Sequence, residues 1–579
     1  MSRQGKRIVK PQASDGRMLF ALLILFGVFA LILGRAAWIQ VLDPDFFRYE
    51  ADKRHLRATV TDAERGMITD RNGEVLAVSV PVMAAYADPK MVRDGDGFND
   101  MRRWQALANV LEINVDDLVS RVRDNKGRFV YIKRQVSPLV ADYIRKLKIP
   151  GIALKAESRR YYPAGEIAAQ LVGITNIDDR GIEGLERSYN DWLTGSPSKQ
   201  LVRKTPNGAI IENLSVLEEG ENSNDLVLSL DMRLQSLAYT ALKKATAYHM
   251  ATSASLVIID IPTGEVLAMA NTPSYNPNAR DGLKPFQMRN RAITDAYEPG
   301  SVVKPLVVAR ALDIGMIQAD STINTSPGYM RVRGGTVRDG KNLGTKDIGT
   351  LLVKSSNMAM TKLALQMDVQ ELLGFYSGFG FGGESGISLS GESSGYLPNR
   401  SRWSEHEQAT LAFGYGLTAT PLQLARMYAI LGGGGISRPL SIFKQKTIPA
   451  GQQVLSEQAA DEVVKMLAGI AKKGGTAPRA AIDGYEVAGK TGTSRKAVAG
   501  GYGEDYVTLF AGLAPADNPR LAMAVVINEP KGQDYYGGTV AAPVFAEVMG
   551  GALQLLNVEP SRPQTQLAAL FGSNDVATR

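Results

Sequence analysis

Ser301-Val302-Val303-Lys304, Ser355-Ser356-Asn357 and Lys490-Thr491-Gly492-Thr493 stand in this order along the chain. Together they supply a nucleophilic hydroxyl, an amine base, a second hydroxyl, an amide and a cationic anchor. That set serves acyl transfer through a covalent serine intermediate. None of the three decides anything alone. Ser196-Pro197-Ser198-Lys199 and Ser441-Ile442-Phe443-Lys444 also read S-x-x-K, and Ser188-Tyr189-Asn190 and Ser274-Tyr275-Asn276 also read S-x-N. A lone match of this kind is mostly a plain loop or strand residue. Order, spacing and local context set the three apart.

Pro299 and Gly300 are turn residues, and Val302 to Ala311 is apolar and helix-compatible. Ser301 is therefore predicted at a helix N-terminus, where free N–H groups favour a developing oxyanion. Lys304 falls one helical turn on, on the same face. Partial desolvation weakens a lysine's hold on its proton, so Lys304 is the candidate general base for Ser301. The plain alternative is a capping serine beside a solvated lysine. Ser355 follows Ser301 by 54 residues. Its hydroxyl can relay a proton to a leaving nitrogen. Asn357 can both donate to and accept from a substrate peptide bond. Alone, this tripeptide reads as a turn or cap.

Lys490-Thr491-Gly492-Thr493 follows the apolar Val487-Ala488-Gly489, which predicts an exposed strand edge. An extended peptide can add there as a strand, and Gly492 leaves room for it to approach. The backbone N–H groups of Ser301 and Thr493 would form the oxyanion hole. Lys490, Thr491 and Thr493 would receive a carboxylate. The plain alternative is a surface lysine beside a glycine turn.

With 579 residues the chain is too long for one core, so at least two domains are expected. Hydrophobic content of 44% and charged content of 22% are those of a globular protein. The absence of cysteine excludes disulfides, a thiol nucleophile, zinc–thiolate sites and lipid-modified cysteine. His55, His249 and His406 are scattered without metal-ligand spacing. No metal and no cofactor are expected. The net charge of +7 is concentrated in Arg3, Lys6, Arg7, Lys10 and Arg17, opposed by Asp15. A local basic tail is not a nucleic-acid surface, and no nucleic-acid partner is expected.

An uncharged run from Met18 to Gly34 follows that tail, and apolar character continues through Ile39 if Arg35 snorkels. Trp38 suits the far interface and the basic tail suits the cytoplasm. A cleaved signal peptide has a shorter apolar core and a small-residue cleavage site, and a buried soluble helix would not need the flanking charges. The expectation is a cytoplasmic tail at 1–17 and an uncleaved anchor at 18–39, with the rest outside the cytoplasm.

Residues 40–225 are mixed in pattern. The stretch from Arg65 to Ala77 places Asn72-Gly73 between apolar segments, a hairpin signal. The stretch from Arg159 to Gly184 offers no catalytic pairing either, so both are read as packing elements of a non-catalytic domain. Around Gly220 to Asn224 the chain turns polar, a boundary. Then come a strand at Leu226 to Leu230, a helix at Met232 to Ala247, and a hairpin of Ala254 to Ile261 and Glu265 to Ala270. Helices and strands alternate onward without a βαβ repeat, which favours a sheet covered by helices. The stretch from about Pro560 reads as a tail.

The three motifs in this order resemble the penicillin-binding protein and serine β-lactamase superfamily. Their context is similar to class B penicillin-binding proteins: Glu298-Pro299-Gly300-Ser301, Lys354-Ser355-Ser356-Asn357, Phe413-Gly414-Tyr415-Gly416 and Tyr535-Tyr536-Gly537-Gly538. Within that class the division-type enzymes of Gram-negative bacteria resemble it most. The resemblance implies an α+β chain: one transmembrane helix, an elongated pedestal of dimerisation type at 40–225, a transpeptidase domain at 226–558 and a tail at 559–579. Ser301, Lys304, Ser355, Asn357 and Lys490 would be catalytic, and Thr491, Gly492 and Thr493 would bind substrate.

The implied activity is D,D-transpeptidation of peptidoglycan during septal wall synthesis. Ser301 would take the acyl group from a D-Ala-D-Ala donor and pass it to a diaminopimelate amine. β-Lactams would acylate Ser301. Implied partners are an FtsW-type glycan polymerase and other division-complex proteins, at the bacterial inner membrane. One departure stands out: the usual S-T-V-K reads S-V-V-K, so Val302 lacks a hydroxyl, and tuning of Lys304 or drug affinity can differ. A β-lactamase is disfavoured because no E-x-x-L-N loop lies between Ser355 and Lys490. An elongation-type transpeptidase and a sensor or scaffold without turnover are the other readings.

Overall fold

The computed structural model describes residues 15–42, 56–61 and 64–561, apart from 197, 205–209, 222 and 499, together with Phe46, Tyr49 and Lys53. The basic residues before Asp15, His55 and the stretch after residue 561 lie outside the described residues. The chain divides into two units, 1–63 with 195–222, and 64–194 with 223–579.

The first unit holds the apolar helix Asp15–Ala37, closed by a π-helical turn at Trp38–Leu42. The apolar span from Gly16 to Gln40 covers 25 residues and none of it is buried. At 1.5 Å per residue it is long enough to cross a bilayer core. The helix Gly537–Leu555 is also long and apolar, but half of it is buried, as in a core helix. The first unit also contains a three-stranded antiparallel sheet of Leu56–Thr61, Ser198–Lys204 and Ile210–Glu218.

In the second unit, residues 64–194 are organised on the long strand Val75–Ala87. It follows the expected Asn72-Gly73 turn and pairs with Val130–Val136 and Ile152–Tyr161. Three helices, Met101–Leu111, Val115–Arg123 and Pro138–Leu147, close a core around Trp104, Leu107, Val119 and Ile144. The two stretches singled out in sequence meet at a buried ion network. Arg65 Nε donates to Glu186 Oε2 and Arg160 Nε to Glu186 Oε1, each at 2.7 Å. Arg160 also donates to the Gly66 carbonyl at 2.8 Å. Removing the shared carboxylate leaves two guanidinium groups buried together. Glu186→Ala is expected to destabilise by about 3–5 kcal/mol, read from denaturant unfolding. A loss below about 1 kcal/mol would show that the network is solvated.

The remainder is built on a five-stranded antiparallel sheet in the order Val266–Thr272, Ser253–Asp260, Leu521–Asn528, Gly501–Ala514, Ala488–Val498. Its middle strand shows why the sheet is covered on both sides. Met523, Val525 and Ile527 pack into one apolar core with the helices Met232–Tyr248 and Gly537–Leu555. Ala522, Ala524 and Val526 pack into the other with Lys304–Asp313 and Pro421–Gly432. The two-residue period of a strand sorts these side chains to opposite faces. The sequence-predicted strand at Leu226 to Leu230 is shorter, Leu226–Val227, because its parallel partner Ile68–Thr69 is only two residues long. This boundary segment thus joins a sheet with the Arg65 region.

Candidate active site

The nucleophile candidate sits at the joint between a tight turn and a helix. Gly300–Val303 forms a single 3-10 turn and Lys304–Asp313 the α-helix, with Pro305 in its first turn, where no N–H is needed. Contacts distant in sequence hold the turn. Tyr297 pairs with Ala419 through two 2.9 Å hydrogen bonds. Gly300 N donates to Gly414 O at 3.1 Å. Gly414 has φ +86°, and a Cβ there would lie 2.0 Å from Gly300 O. Only glycine fits, which explains Gly414 within Phe413-Gly414-Tyr415-Gly416. Glu298 adds a clasp: its Oε1 accepts from Gly416 N at 2.9 Å and from Tyr502 Oη at 3.2 Å.

Lys304 is fully buried. Its Nζ donates to Ser355 O at 2.6 Å, Asn357 Oδ1 at 2.7 Å and Ser355 Oγ at 3.1 Å. Ser355 Oγ is 3.0 Å from Ser301 Oγ. No hydrogen bond joins Lys304 directly to Ser301, so the path between them runs through the Ser355 hydroxyl. Burial is the first cause that pushes the Lys304 ammonium well below the usual lysine range. The nearby Lys490 charge pushes it further down, and Asp339 opposes them.

Ser355 occupies the left-handed region at φ +61°. A non-glycine residue there stores strain and needs support. The support comes from Asp339, a residue the motifs do not reveal. Its carboxylate accepts from Asn357 N at 2.5 Å, Ser356 Oγ at 2.6 Å and Met358 N at 3.0 Å. It thereby caps the helix Asn357–Ala364. In sequence Arg338-Asp339-Gly340 reads only as a turn, and nothing local links it to Ser356. Asn357 is less free than its motif implies. Its Oδ1 is held by Lys304, and Nδ2 donates to Arg338 O at 2.9 Å. One amide hydrogen is left to meet a substrate.

The two functions of Asp339 separate by substitution. Asp339→Ala removes three hydrogen bonds and is expected to slow β-lactam acylation by about 10- to 100-fold, through misplacement of Ser355. Asp339→Asn keeps the shape but removes the charge that partly opposes the lowering of the Lys304 pKa. The acid limb of the acylation rate should then shift to lower pH. A rate–pH profile unchanged in both variants would show that Asp339 neither positions nor tunes the site.

Lys490-Thr491-Gly492-Thr493 lies on Ala488–Val498, the outermost strand of the sheet, as predicted. The Thr493 carbonyl lies 3.6 Å from where a Cβ on Gly300 would stand. A strand residue points its N–H and C=O to the same side. The Thr493 N–H therefore faces outward from the sheet, toward the Ser301 turn. Thr493 Oγ1 accepts from Gly537 N at 3.0 Å, which leaves its own hydrogen to donate. This contact also seats Tyr535-Tyr536-Gly537-Gly538 against the strand. Thr491 is half-buried beside Gly538.

Two expectations are refined here. Lys490, read as a cationic anchor on an exposed edge, is fully buried with no hydrogen-bond partner among the described residues, and burial lowers its pKa to about 7. The reason for Gly492 also differs. A Cβ there would meet Pro299 O at 2.7 Å and Val302 Cγ2 at 2.8 Å. The missing side chain lets the edge strand close on the Ser301 turn itself. The same contact places Val302. It is fully buried under Gly492, and its carbonyl accepts from Tyr428 Oη at 3.1 Å. Among the described residues no group of His, Cys, Asp or Glu is arranged to hold a metal ion.

Residues 254–550 match the penicillin binding protein transpeptidase domain, and residues 60–228 match the penicillin-binding protein dimerisation domain. With a serine and lysine at the head of a helix and a sheet edge closed against them, the chain belongs to the class B penicillin-binding proteins. It is 50% identical over 533 residues to the peptidoglycan D,D-transpeptidase FtsI of Escherichia coli K12, covering 92% of this chain and 90% of that one. The probable peptidoglycan D,D-transpeptidase PenA of Neisseria gonorrhoeae is 38% identical over 566 residues, covering 97% of each. Among solved structures, a peptidoglycan synthetase from Bifidobacterium adolescentis superposes with a TM-score of 0.69 at 25% identity, over 88% of this chain and 98% of that one. The transpeptidase domain of penicillin-binding protein 3 from Burkholderia pseudomallei superposes with a TM-score of 0.54 at 37% identity, covering 58% of this chain and 98% of that one.

Proposed function

We propose that this chain is a serine D,D-transpeptidase that cross-links peptidoglycan stem peptides at the division septum. One observation carries the mechanism: the Ser355 hydroxyl bridges Ser301 Oγ, at 3.0 Å, and the buried Lys304 Nζ, at 3.1 Å. With Lys304 neutral, the Ser301 proton passes to Ser355 Oγ while the Ser355 proton passes to Lys304 Nζ. Ser301 Oγ bonds to the carbonyl carbon of the penultimate D-Ala. The backbone N–H groups of Ser301 and Thr493 receive the oxyanion. As the peptide bond breaks, the proton returns through Ser355 to the leaving D-Ala nitrogen. A diaminopimelate amine on a second stem then attacks the acyl-enzyme carbonyl; the same relay takes its proton and returns it to Ser301 Oγ as the bond between the acyl carbon and that oxygen breaks. Thr493 Oγ1–H, Thr491 and Lys490 would hold the terminal carboxylate, and Asn357 Nδ2 the donor peptide. A β-lactam enters the same path and is held as the acyl-enzyme.

In this reading residues 18–39 anchor the chain in the inner membrane, with 1–17 in the cytoplasm and the catalytic part in the periplasm. Residues 40–225 serve as the pedestal and 226–558 as the catalytic domain. The FtsI likeness supports the septal role and a partnership with an FtsW-type glycan polymerase and other division proteins.

Labelling of the full chain with fluorescent penicillin, followed by peptide mass spectrometry, should place the adduct on the Ser301 peptide. Pentapeptide donors should yield cross-linked dimers only when an acceptor amine is present. Rapid release of hydrolysed penicillin would overturn the transferase assignment in favour of a hydrolase. Rescue of an elongation-defective strain, without rescue of a division-defective one, would overturn the septal role.

A further inference from the structure

Away from the Ser301 site, a cleft of about 240 Å³ opens between the strands of the Arg65–Thr194 region and the loop at Pro277–Arg280. Arg159, Arg160 and Arg280 line it, with Gln135 and Asn176, and no carboxylate does. The three guanidinium groups are held differently. Arg280 is pinned by two backbone carbonyls, Nε to Pro277 O at 2.7 Å and Nη1 to Thr175 O at 2.5 Å, which leaves Nη2 open. Arg160 is buried and occupied: Nε donates to Glu186, the carboxylate shared with Arg65, Nη1 to Ser79 Oγ at 3.2 Å and Nη2 to Gly66 O at 2.8 Å, so it serves as the floor of the cleft. Arg159 is exposed, and its side chain makes no hydrogen bond or ion pair with the described residues. An arginine oriented by backbone carbonyls with a donor left open, Arg280, beside an exposed arginine without a partner among the described residues, Arg159, is set for a planar acceptor.

The wall beside them is also irregular. Gln135 takes a left-handed backbone at φ +57°. It lies where the pairing of Val130–Val136 with Val75–Ala87 shifts register. Bulges of this kind re-aim side chains and cluster near binding sites, as does backbone strain in a non-glycine residue.

We propose that this cleft is a second, non-catalytic site that binds a carboxylate-bearing residue of the peptidoglycan stem peptide. Its volume falls below that of pockets for drug-sized ligands and suits one acidic residue, not a folded protein surface. The identity of the ligand rests on the transpeptidase reading above, because that reaction brings carboxylate-rich stems to this chain. Bound here, a wall strand would be tethered while Ser301 turns over its neighbours.

The test uses the full chain in detergent, with Ser301 acylated beforehand by penicillin so that the active site is filled. The probe is a disaccharide-tetrapeptide labelled on the sugar and followed by fluorescence anisotropy. It should bind saturably, and amidation of its carboxylates should weaken binding about tenfold or more. Arg159→Gln and Arg280→Gln should weaken it similarly, with penicillin acylation rates within about twofold of the parent. Should Arg280→Gln fail to fold, the exposed Arg159→Gln decides. Unchanged affinity in Arg159→Gln, or no saturable binding at millimolar probe, overturns the site. Tighter binding of a poly-glutamate peptide at the same residues overturns the wall polymer as ligand and points to an acidic protein segment. A chain that takes no penicillin overturns the transpeptidase reading instead, and the Arg159→Gln comparison on the untreated chain still decides the cleft.

Discussion

Ser301→Ala should take no penicillin at the site and should release D-Ala from a pentapeptide donor at least about 10⁴-fold more slowly than the parent. The expectation rests on how little else this side chain does. Its hydroxyl makes one hydrogen bond, to Ser355 Oγ at 3.0 Å, and sits half-buried on the 3-10 turn. Its removal should therefore change stability by no more than about 1 kcal/mol. The turn is kept by Tyr297–Ala419 and Gly300–Gly414, neither of which uses the serine side chain. An unchanged melting temperature with complete loss of label identifies a nucleophile. A label that persists in Ser301→Ala, found elsewhere by peptide mass spectrometry, would remove Ser301 from that role.

Lys304→Met should slow acylation by about 10²- to 10⁴-fold, the range expected for loss of a general base. Methionine keeps the length and the apolar stem and removes the amine. Two consequences distinguish this from a packing defect. In the parent, acylation should fall as pH drops through the Lys304 pKa, because the relay needs the neutral amine; the residual rate of Lys304→Met should lack that limb. The second concerns stability. Burial pushes the Lys304 and Lys490 pKa values down, Lys490 to about 7, whereas the unfolded chain titrates near the usual 10.5. Between those values the unfolded state holds protons that the folded state has released. The parent's stability should thus rise as pH increases from about 7 toward 10.5, and Lys304→Met should flatten that rise. Acylation by Lys304→Met within tenfold of the parent, across the pH range, would exclude the lysine as base.

Much of the scaffold is legible in local pattern. The uncharged run from Met18 onward predicts a helix, and Asp15–Ala37 is one. Two apolar runs on either side of Pro262-Thr263-Gly264 predict the hairpin that becomes Ser253–Asp260 and Val266–Thr272. Asn72-Gly73 marks the turn into the strand Val75–Ala87. Each depends on residues a few positions apart, so a linear reading finds it. The strand ending near Leu230 is misjudged for the complementary reason. Its length is set by its partner Ile68–Thr69, more than 150 residues away, and not by its own apolar run.

The amino-acid sequence by itself determined which chemistry this protein carries: a serine, two lysines, a second hydroxyl and an amide in one order, behind an apolar anchor. Only the tertiary structure decided how they connect. It put the Ser355 hydroxyl between Ser301 and Lys304, buried Lys490 without a partner, and assigned Asp339 to hold the strained Ser355–Asn357 turn. It also turned Gly492 from a gap for substrate into the contact that seats the sheet edge on Val302. The physical reason is common to all four. Proton affinity and hydrogen-bond geometry depend on desolvation and on neighbours from distant segments, and neither is written in the spacing of residues along one stretch of chain.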